Sequence, residues 1–205
     1  MIVAVDGPAA SGKGTIARAL ADHYGLPHLD TGLLYRAAAL NLLLLGGDPD
    51  SEFSAARATD LSQIDFADPE LKSETVGGVA SRISAYPLVR DALFERQRRF
   101  AAQAGGAVLD GRDIGTVIAP AAEVKLFVTA RPEIRARRRF AELRARGIDV
   151  HLADVLADIR ARDERDSGRA AAPLVMAPDA MLLDTSELDA PAAIAAAIAL
   201  VARRR

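Results

Sequence analysis

Cysteine is missing from this chain of 205 residues, and long apolar runs are missing as well. The absence of cysteine excludes disulfides and thiolate metal sites, and it suits a reducing compartment. The longest apolar stretch, residues 37–45, is interrupted by Asn41 and is far shorter than a membrane span. The first six residues do not have the basic leader of a signal peptide. We therefore expect a cytoplasmic protein that does not enter a membrane.

Net charge is small, and one of the two strongly basic residue types is scarce. The formal net charge is −2, which favours neither nucleic acid nor a membrane surface as a partner. Arginine accounts for 23 of the 26 basic residues, and lysine occurs only at Lys13, Lys72 and Lys125. A coding bias toward arginine explains most of this imbalance. It also makes a lysine inside a glycine-rich loop less expected by chance.

Short apolar runs alternate with helical patterns along the chain. The runs predict strands at residues 2–5, 26–29, 107–109, 124–128 and 181–183. The helical patterns lie between them, including one at residues 79–104 with a break at Pro87, where a helix can begin. This alternation is typical of a parallel sheet covered on both faces. We predict one domain, residues 1–205, with a three-layer α/β fold and a five-stranded parallel sheet flanked by helices.

A glycine-rich loop follows the first predicted strand and precedes a predicted helix. It consists of Gly7, Pro8, Ala9, Ala10, Ser11, Gly12, Lys13, Gly14 and Thr15. Glycines allow backbone N–H groups to surround an anion, and the following helix directs its positive end at the same place. Lys13 can follow the phosphates during transfer. Strand, loop and helix in this order indicate a P-loop that binds ATP, the alternative being a glycine turn without a ligand.

The residue after Lys13 departs from the general P-loop pattern. Serine or threonine usually follows the lysine and holds magnesium, but here Gly14 follows and Thr15 comes one position later. We assign no residue as a metal ligand. We expect Mg²⁺ to be held mainly by the nucleotide's phosphates, by water and by nearby carboxylates. The Gly-Lys-Gly-Thr form resembles nucleoside monophosphate kinases more than GTPases or motor ATPases.

Three further polar motifs each allow a functional and a structural interpretation. Residues 30–36 either bring Arg36 near the phosphate loop or only cap a helix. Residues 110–116 follow the third strand, where ligands of open α/β sheets gather, but they could also form a turn with a local ion pair. Residues 160–169 carry arginines along one side of a helix, which can contact phosphates or simply be solvated.

These motifs occur in the order seen in bacterial cytidylate kinases, and the chain resembles that family over nearly its whole length. Residues 80–90 and 183–186 are similar to it as well. The resemblance implies a P-loop core, a lid at about residues 147–178 and a monophosphate-binding insert at about residues 48–78. It implies that CMP is bound by Thr31, Arg36, Ser81, Arg90, Arg112, Asp113, Arg162, Asp166 and Arg169. Residues 48–75 are polar, weakly periodic and broken by prolines, so we predict an irregular insert. Its residues 65–75 are too short for the three-stranded sheet often found in that family.

The motifs and the resemblance together predict transfer of the γ-phosphoryl group from ATP to CMP or dCMP, with ADP as the second product. The expected catalytic residues are Lys13, Arg112, Arg162 and Arg169. Cytosine presents an amino donor beside acceptors, so Asp113 can accept from the base while Arg90 donates to it, with Ser81 as the third member of the set. The alternatives are another small acceptor, such as UMP, AMP or shikimate, and a nucleotide-binding switch without transfer activity.

The histidines have no assigned role in this interpretation. His23, His28 and His151 show neither metal-like spacing nor a nearby nucleophile, so we expect all three to be structural. We also expect a monomer whose partners are ATP and CMP or dCMP rather than nucleic acid or a membrane.

Overall fold

The computed structural model describes residues 1–204, and its centre is a parallel sheet. The strands are β1 (Ile2–Asp6), β2 (His28–Asp30), β3 (Ala107–Gly111), β4 (Val124–Thr129) and β5 (Met181–Asp184). Their order is β2-β3-β1-β4-β5, and every neighbouring pair is parallel. All carboxyl ends therefore meet at one edge, which is where such sheets bind ligands. The prediction of a five-stranded parallel sheet is confirmed.

Helices cover both faces of the sheet. Within the described residues they are α1 (Lys13–Tyr24), α2 (Thr31–Leu44), α3 (Glu52–Arg57), α4 (Glu74–Ile83), α5 (Pro87–Ala101), α6 (Pro132–Ala145), α7 (Leu152–Gly168) and α8 (Ala190–Arg204). Val3 and Val5 of β1 pack with residues of α1 and α8 on one face. Ala4, between them, packs on the other face with Leu109 and Ala101 of α5. Because both faces are covered, the strands are apolar without alternation, and the predicted three-layer α/β fold is confirmed.

Two groups of helices extend beyond the sheet on the side of its carboxyl edge. α2 packs with α3 and α4 around a separate apolar cluster. α6 and α7 pack against each other through Ala136, Leu143, Val155 and Ile159. The two groups form opposite walls of a cleft. In the part of the chain that the structure describes, no helix is both long and apolar enough to cross a bilayer.

The prediction of an irregular segment at residues 48–75 is wrong in part. The structure has helix α3 and a 3₁₀ turn at Pro69–Lys72, and α4 begins at Glu74 rather than near residue 79. Side chains cap all three of these short elements: Ser51, Asp68 and Ser73 each accept a hydrogen bond from a backbone N–H. Short capped helices that pack against α2 and α5 do not need a long amphipathic repeat, so their periodicity is weak in the sequence.

Two polar contacts join this segment to α6 across the mouth of the cleft. The Arg139 guanidinium forms an ion pair with Glu74, the first residue of α4. Near the end of α6, Arg146 Nη1 donates a hydrogen bond to the carbonyl oxygen of Lys72 at 3.0 Å. The Arg139–Glu74 pair joins two residues that line the cleft, the Arg146–Lys72 contact is exposed, and we call these two contacts the rim.

Candidate active site

A cavity of about 670 Å³ opens at the carboxyl edge of the sheet. All nine residues predicted to contact CMP line it: Thr31, Arg36, Ser81, Arg90, Arg112, Asp113, Arg162, Asp166 and Arg169. Four residues of the predicted ATP loop also line it: Ala9, Ala10, Lys13 and Gly14. The other five do not line it: Gly7, Pro8, Ser11 and Gly12 lie in the turn before α1, and Thr15 lies in the first turn of α1. The structure thus brings residues from distant motifs to one place, and their roles stay predictions.

The phosphate loop connects β1 to α1 by a turn that only particular residues can form. A Cβ on Gly7 would lie 2.0 Å from the carbonyl oxygen of Val128, so a side chain has no room there. Gly12 has φ 89° and Ala10 has φ 57°, both in the left-handed region. Gly12 is the N-cap of α1 and no side chain caps this helix. The first N–H groups of α1 are therefore left without a side-chain acceptor, as an anion site requires.

Lys13 is the first residue of α1, and its ammonium group lies against the loop that precedes it. The Nζ atom donates to the carbonyl oxygen of Pro8 at 3.4 Å. Burial, and then the positive charge of Arg112, lower the pKa of Lys13 to about 7, with Asp110 and Asp30 acting in the opposite direction. The unliganded site therefore disfavours a positive charge at Lys13, and a negatively charged ligand would favour it.

Arg112 and Arg162 both line the cavity, near enough for the charge of one to act on the other. Arg112 Nε donates to Asp166 Oδ2 at 2.7 Å. Burial acts to raise the pKa of Asp166, but Arg112, Arg162 and Arg169 together outweigh it and hold that pKa below its usual range. Arg162 has a buried Nε without a hydrogen-bond partner. Burial, together with the nearby Arg112, lowers the pKa of Arg162 to about 10. Arg162 is thus a crowded cation with an unused donor.

Asp113 is surrounded by arginines from distant parts of the chain. It forms a buried ion pair with Arg90 of α5, and Arg169 Nη2 lies 3.7 Å from its Oδ1. Arg169 follows α7, and its Nη2 atom is buried without a hydrogen-bond partner. The alternative of a local ion pair within residues 110–116 is therefore wrong, because Arg112 pairs with Asp166 and Asp113 pairs with Arg90.

Ser81 and Tyr35 complete the wall around Asp113. Ser81 is buried, and its Oγ has no hydrogen-bond partner. A buried hydroxyl without a partner costs free energy, which is typical of a group reserved for a ligand. Burial raises the pKa of Tyr35, which also lines the cavity. Tyr35 was not singled out from the sequence, although it lies in the motif at residues 30–36.

Thr31 and Arg36 of α2 donate hydrogen bonds to backbone carbonyls of β3 and of the segment that precedes α4. Thr31 Oγ1 donates to the carbonyl oxygen of Asp110 at 2.8 Å. Arg36 lies in the second turn of α2, and its Nη1 donates to the carbonyl oxygens of Leu71 at 2.8 Å and Ser73 at 3.2 Å. Burial, and then the nearby Arg139, lower the pKa of Arg36. Arg36 therefore both lines the cavity and holds the segment that precedes α4.

Carboxylates at the ends of three strands were given no role of their own in the sequence interpretation, although two of them lie in the motifs at residues 30–36 and 110–116. Asp30 and Asp110 are partners in the β2–β3 register, and burial, then Asp110, raise the pKa of Asp30. Asp6 ends β1, and burial raises its pKa to about 6. His28 Nε2 lies 2.8 Å from Asp110 Oδ1, so this histidine contacts a cavity-lining residue. An aspartate directly after an apolar strand was the available signal for all three.

Among the described residues, no group of three histidine, cysteine, aspartate or glutamate side chains is arranged to hold a metal ion. Oxygen donors nevertheless lie beside the phosphate loop. A Cβ on Gly14 would lie 3.7 Å from Asp110 Oδ2, and Asp30 adjoins Asp110. A hard cation already bound to phosphates and water could be reached by these carboxylates.

Two arginines of α6 were also missed, and they support the phosphate loop from behind. Arg135 Nη1 donates to the carbonyl oxygen of Ala9 at 3.2 Å. Arg138 Nη1 donates to Thr185 Oγ1 at 3.0 Å, and that hydroxyl lies 3.0 Å from the carbonyl oxygen of Ser11. These contacts span 126 and 174 residues of sequence, so no local pattern could have indicated them.

Comparison with known proteins agrees with this arrangement. The family model described as "Cytidylate kinase" matches residues 3–203. A cytidylate kinase of Xanthobacter autotrophicus is 61% identical over 208 residues, covering 100% of this chain and 99% of the relative. One from Rhodopseudomonas palustris is 59% identical, covering 98% and 95%. A crystal structure of an uncharacterized protein from Eubacterium ventriosum has a similar fold, with a TM-score of 0.58, 15% identity and coverage of 99% and 98%.

Proposed function

The chain belongs to the cytidylate kinase family, and from that premise we propose that it transfers the γ-phosphoryl group of ATP to CMP or dCMP, giving CDP or dCDP and ADP. The observation that carries this proposal is a set of crowded cations in one cavity. Lys13, Arg112 and Arg162 all line the cavity, and the charge of Arg112 helps to lower the pKa of both Lys13 and Arg162. Such a cluster is relieved by a polyanion, and two nucleotides whose phosphates meet there would supply one.

The acceptor base is assigned to the pocket around Asp113. Cytosine carries an amino group beside two acceptors, whereas uracil has a carbonyl where that amino group stands. Asp113 can accept from the amino group, and Arg90 can donate to the acceptors. Ser81 Oγ is buried without a partner and is free to contact the base or ribose. Uracil would oppose the Asp113 carboxylate with an acceptor, and an unpaired buried polar group weakens binding strongly.

The transfer itself needs orientation and charge neutralisation more than acid–base chemistry. The acceptor phosphate is ionised near neutral pH, so no strong general base is required. Repulsion between the donor triphosphate and the acceptor phosphate is the main obstacle. Lys13 and the α1 amides would hold the donor phosphates, while Arg112, Arg162 and Arg169 would hold the transferring group and the acceptor. No covalent intermediate on the protein is required.

Magnesium is assigned to the nucleotide side of the site. Gly14 has no hydroxyl to offer, but the carboxylates of Asp30 and Asp110 lie next to the loop. These oxygen donors suit Mg²⁺, which prefers to keep several waters and phosphate oxygens. When bound, the ion would neutralise phosphate charge. The two carboxylates would orient its water ligands, and Lys13 would remain the main protein cation on the donor.

Two segments are proposed to move during the reaction. Residues 147–178 would act as a lid, since α7 and Arg169 bring three of the proposed contacts. Residues 48–78 would act as the monophosphate-binding insert, tied to the cavity by Arg36. Closure of both segments would exclude water and limit wasteful hydrolysis of ATP. We further propose a monomeric, cytoplasmic enzyme without nucleic-acid or membrane partners; light scattering of the purified protein tests the monomer.

An acceptor panel tests the activity. ADP release is measured at fixed MgATP with CMP, dCMP, UMP, AMP and shikimate, each at several concentrations. We expect kcat/KM to be highest for CMP or dCMP. Faster turnover with UMP or AMP would remove the cytosine assignment. Tight nucleotide binding with no ADP formed on any acceptor would instead indicate a switch.

A further inference from the structure

Arg135 is a buried cation that the proposed chemistry does not use. Its side chain is 3% exposed, on the side of α6 that faces α7. Nε donates to the carbonyl oxygen of Ala130 at 2.8 Å. Nη1 donates to the carbonyl oxygen of Ala9 at 3.2 Å and to Asp163 Oδ1 at 2.9 Å, and Nη2 donates to Asp163 Oδ2 at 2.5 Å. Four of the five guanidinium hydrogens are therefore in use.

This guanidinium connects the phosphate loop to α7 directly. Ala9 precedes Ala10, whose φ is 57°, so the bonded carbonyl lies in the part of the loop with an unusual backbone. Asp163 follows Arg162 in α7, and consecutive helical residues diverge by about 100° around the axis. Asp163 can therefore face α6 while Arg162 faces the cavity.

Arg162 needs such a connection because its own position is unfavourable. It is crowded by Arg112 in the unliganded site, and its buried Nε has no partner. Without a ligand, repulsion of Arg162 by Arg112 and by Lys13 of the phosphate loop acts to push α7 away from that loop. Two ion pairs oppose this repulsion, Arg112–Asp166 and Arg135–Asp163, and only the second also contacts the loop itself.

We propose that Arg135 and Asp163 are positioning residues, which hold α7 at the distance from the phosphate loop at which Arg162 reaches the transferring phosphate. Neither side chain would touch a substrate. The pair would act through Arg162, so its effect on turnover should depend on that arginine. This role rests on the proposed phosphoryl transfer.

The first test is a double-mutant cycle. Asp163→Asn removes the bidentate ion pair, and we expect it to lower kcat with CMP and MgATP by about tenfold or more, because misplaced catalytic groups cost large factors. Arg162→Ala should lower kcat as well. If Asp163 acts through Arg162, Arg162→Ala should cause a much smaller further loss in the Asp163→Asn background than in the parent enzyme. Losses that multiply in full would overturn the proposal.

The chain offers a matched control on the same two helices. Arg160 of α7 and Glu133 of α6 form an exposed ion pair at 2.8 Å, with no contact to the loop. Glu133→Gln should leave kcat within about twofold, since exposed pairs contribute little. An equal loss of kcat in Glu133→Gln and Asp163→Asn would mean that any α6–α7 contact serves, and the assignment to Arg135 and Asp163 would be wrong.

A second variant separates positioning from stability. Arg135→Met/Asp163→Leu replaces a buried ion pair by apolar groups, which often preserves or raises stability. We expect its melting temperature near that of the parent, with kcat still reduced about tenfold because Ala9 and α7 have lost their link. A melting temperature and a kcat that are both near those of the parent enzyme would overturn the proposal.

Amide hydrogen exchange gives a measurement that does not depend on the acceptor. In the unliganded protein, Asp163→Asn should speed exchange in α7 relative to Glu133→Gln. If the parent failed to phosphorylate CMP, the proposed function would fall, while faster exchange in α7 would still support the positional link. If exchange in α7 of Asp163→Asn were unchanged while the parent enzyme phosphorylated CMP normally, the positioning role would be wrong and the proposed function would stand.

Discussion

At the residue scale, the charge on Lys13 is set by its surroundings as much as by the solvent. Burial and the nearby Arg112 lower its pKa to about 7 in the unliganded protein. A bound triphosphate would favour the ammonium form and raise that pKa again. Lys13 should therefore gain a proton when ATP binds, provided that the pH lies above about 7 and below the pKa of the complex.

This proton uptake can be measured by titration calorimetry. At pH 8 a lysine with a pKa of about 7 is roughly nine-tenths neutral, so MgATP binding should take up close to one proton. At pH 6 the uptake should fall to roughly a tenth of a proton. The slope of the observed enthalpy against buffer ionisation enthalpy gives the number. Lys13→Ala should abolish the uptake and Lys72→Ala should not; equal enthalpies in all buffers at pH 8 would contradict the prediction.

Asp113 offers a second residue-scale prediction, on base selectivity. Asparagine can donate to the uracil carbonyl that a carboxylate would repel. Asp113→Asn should therefore lower the ratio of kcat/KM for CMP over UMP by about 10- to 100-fold. Asp91→Asn, on the exposed surface of the α5 helix that carries Arg90, is the control and should leave the ratio unchanged. If kcat/KM fell equally with CMP and with UMP, Asp113 would position its arginine partners and would not discriminate between the bases.

The sequence indicated which residues line the candidate site, but it did not indicate which of their side chains form ion pairs with one another. Lys13 and its glycines are recognisable because a phosphate loop is a continuous piece of chain. The partner of Arg112 is not recognisable, since Asp166 lies 54 residues away and two nearer aspartates flank the arginine. Which carboxylate an arginine meets is decided by how helices cross, and the sequence pattern does not encode that locally.

At the element scale, the turn after β1 depends on close approach to β4. A Cβ on Gly7 would lie 2.0 Å from the carbonyl oxygen of Val128, and a backbone atom of a central strand cannot move aside cheaply. Gly7→Ala should lower the free energy of unfolding by about 3 kcal/mol or more. Gly78→Ala is the contrasting variant, because no atom lies within 4 Å of its Cβ position in α4. It should be neutral or raise stability by up to about 1 kcal/mol.

Urea unfolding of the two variants provides the measurement for this prediction. A urea midpoint for Gly7→Ala similar to that of Gly78→Ala would show that the backbone of β4 can shift at Val128 to accommodate the added Cβ. Such a result would also mean that the close packing of loop and strand is not needed for folding.

The same close approaches explain why one element was predicted poorly. The start of α4 contains Gly77 and Gly78, which lower helix propensity and favour a turn in a sequence interpretation. In the fold, a Cβ on Gly77 would lie 2.7 Å from Arg36 Nη2. A side chain at position 77 would collide with the Arg36 guanidinium, which packs against α4 at that point. Strands β1, β3 and β4, by contrast, were predictable because burial on both faces makes them short apolar runs.

The π-helical turn at Ile114–Ile118 was not predicted at all. It begins directly after Asp113, and the Asp6 carboxylate accepts hydrogen bonds from the N–H groups of Ile114 and Gly115, both at 2.8 Å. An aspartate more than a hundred residues away thus fixes the backbone that carries Arg112 and Asp113. Wide helical turns of this kind are frequent at functional sites.

At the scale of the whole molecule, the proposed donor and acceptor sites share one cavity whose walls belong to separate helical groups. Closure should therefore be most complete with both nucleotides, because the arginines of residues 160–169 are proposed to meet donor and acceptor phosphates together. Hydrogen exchange with MgADP plus CMP, a pair that cannot react forward, should slow in residues 48–78 and 147–178 by more than the sum of the effects of either nucleotide alone. Additive effects, or changes confined to the phosphate loop, would argue for rigid and independent sites.

The contacts at the rim of the cleft have a consequence for the rate of substrate entry. Glu74 is half exposed, and the Arg146 contact to Lys72 lies on the surface. Interactions of this kind contribute at most about 1 kcal/mol each, because water competes for the same groups. Thermal fluctuations would therefore break these contacts far more often than the enzyme turns over. Diffusion of substrate into the cleft should therefore not limit the catalytic cycle. If one step is slow, it should be the escape of products held by many arginines at once.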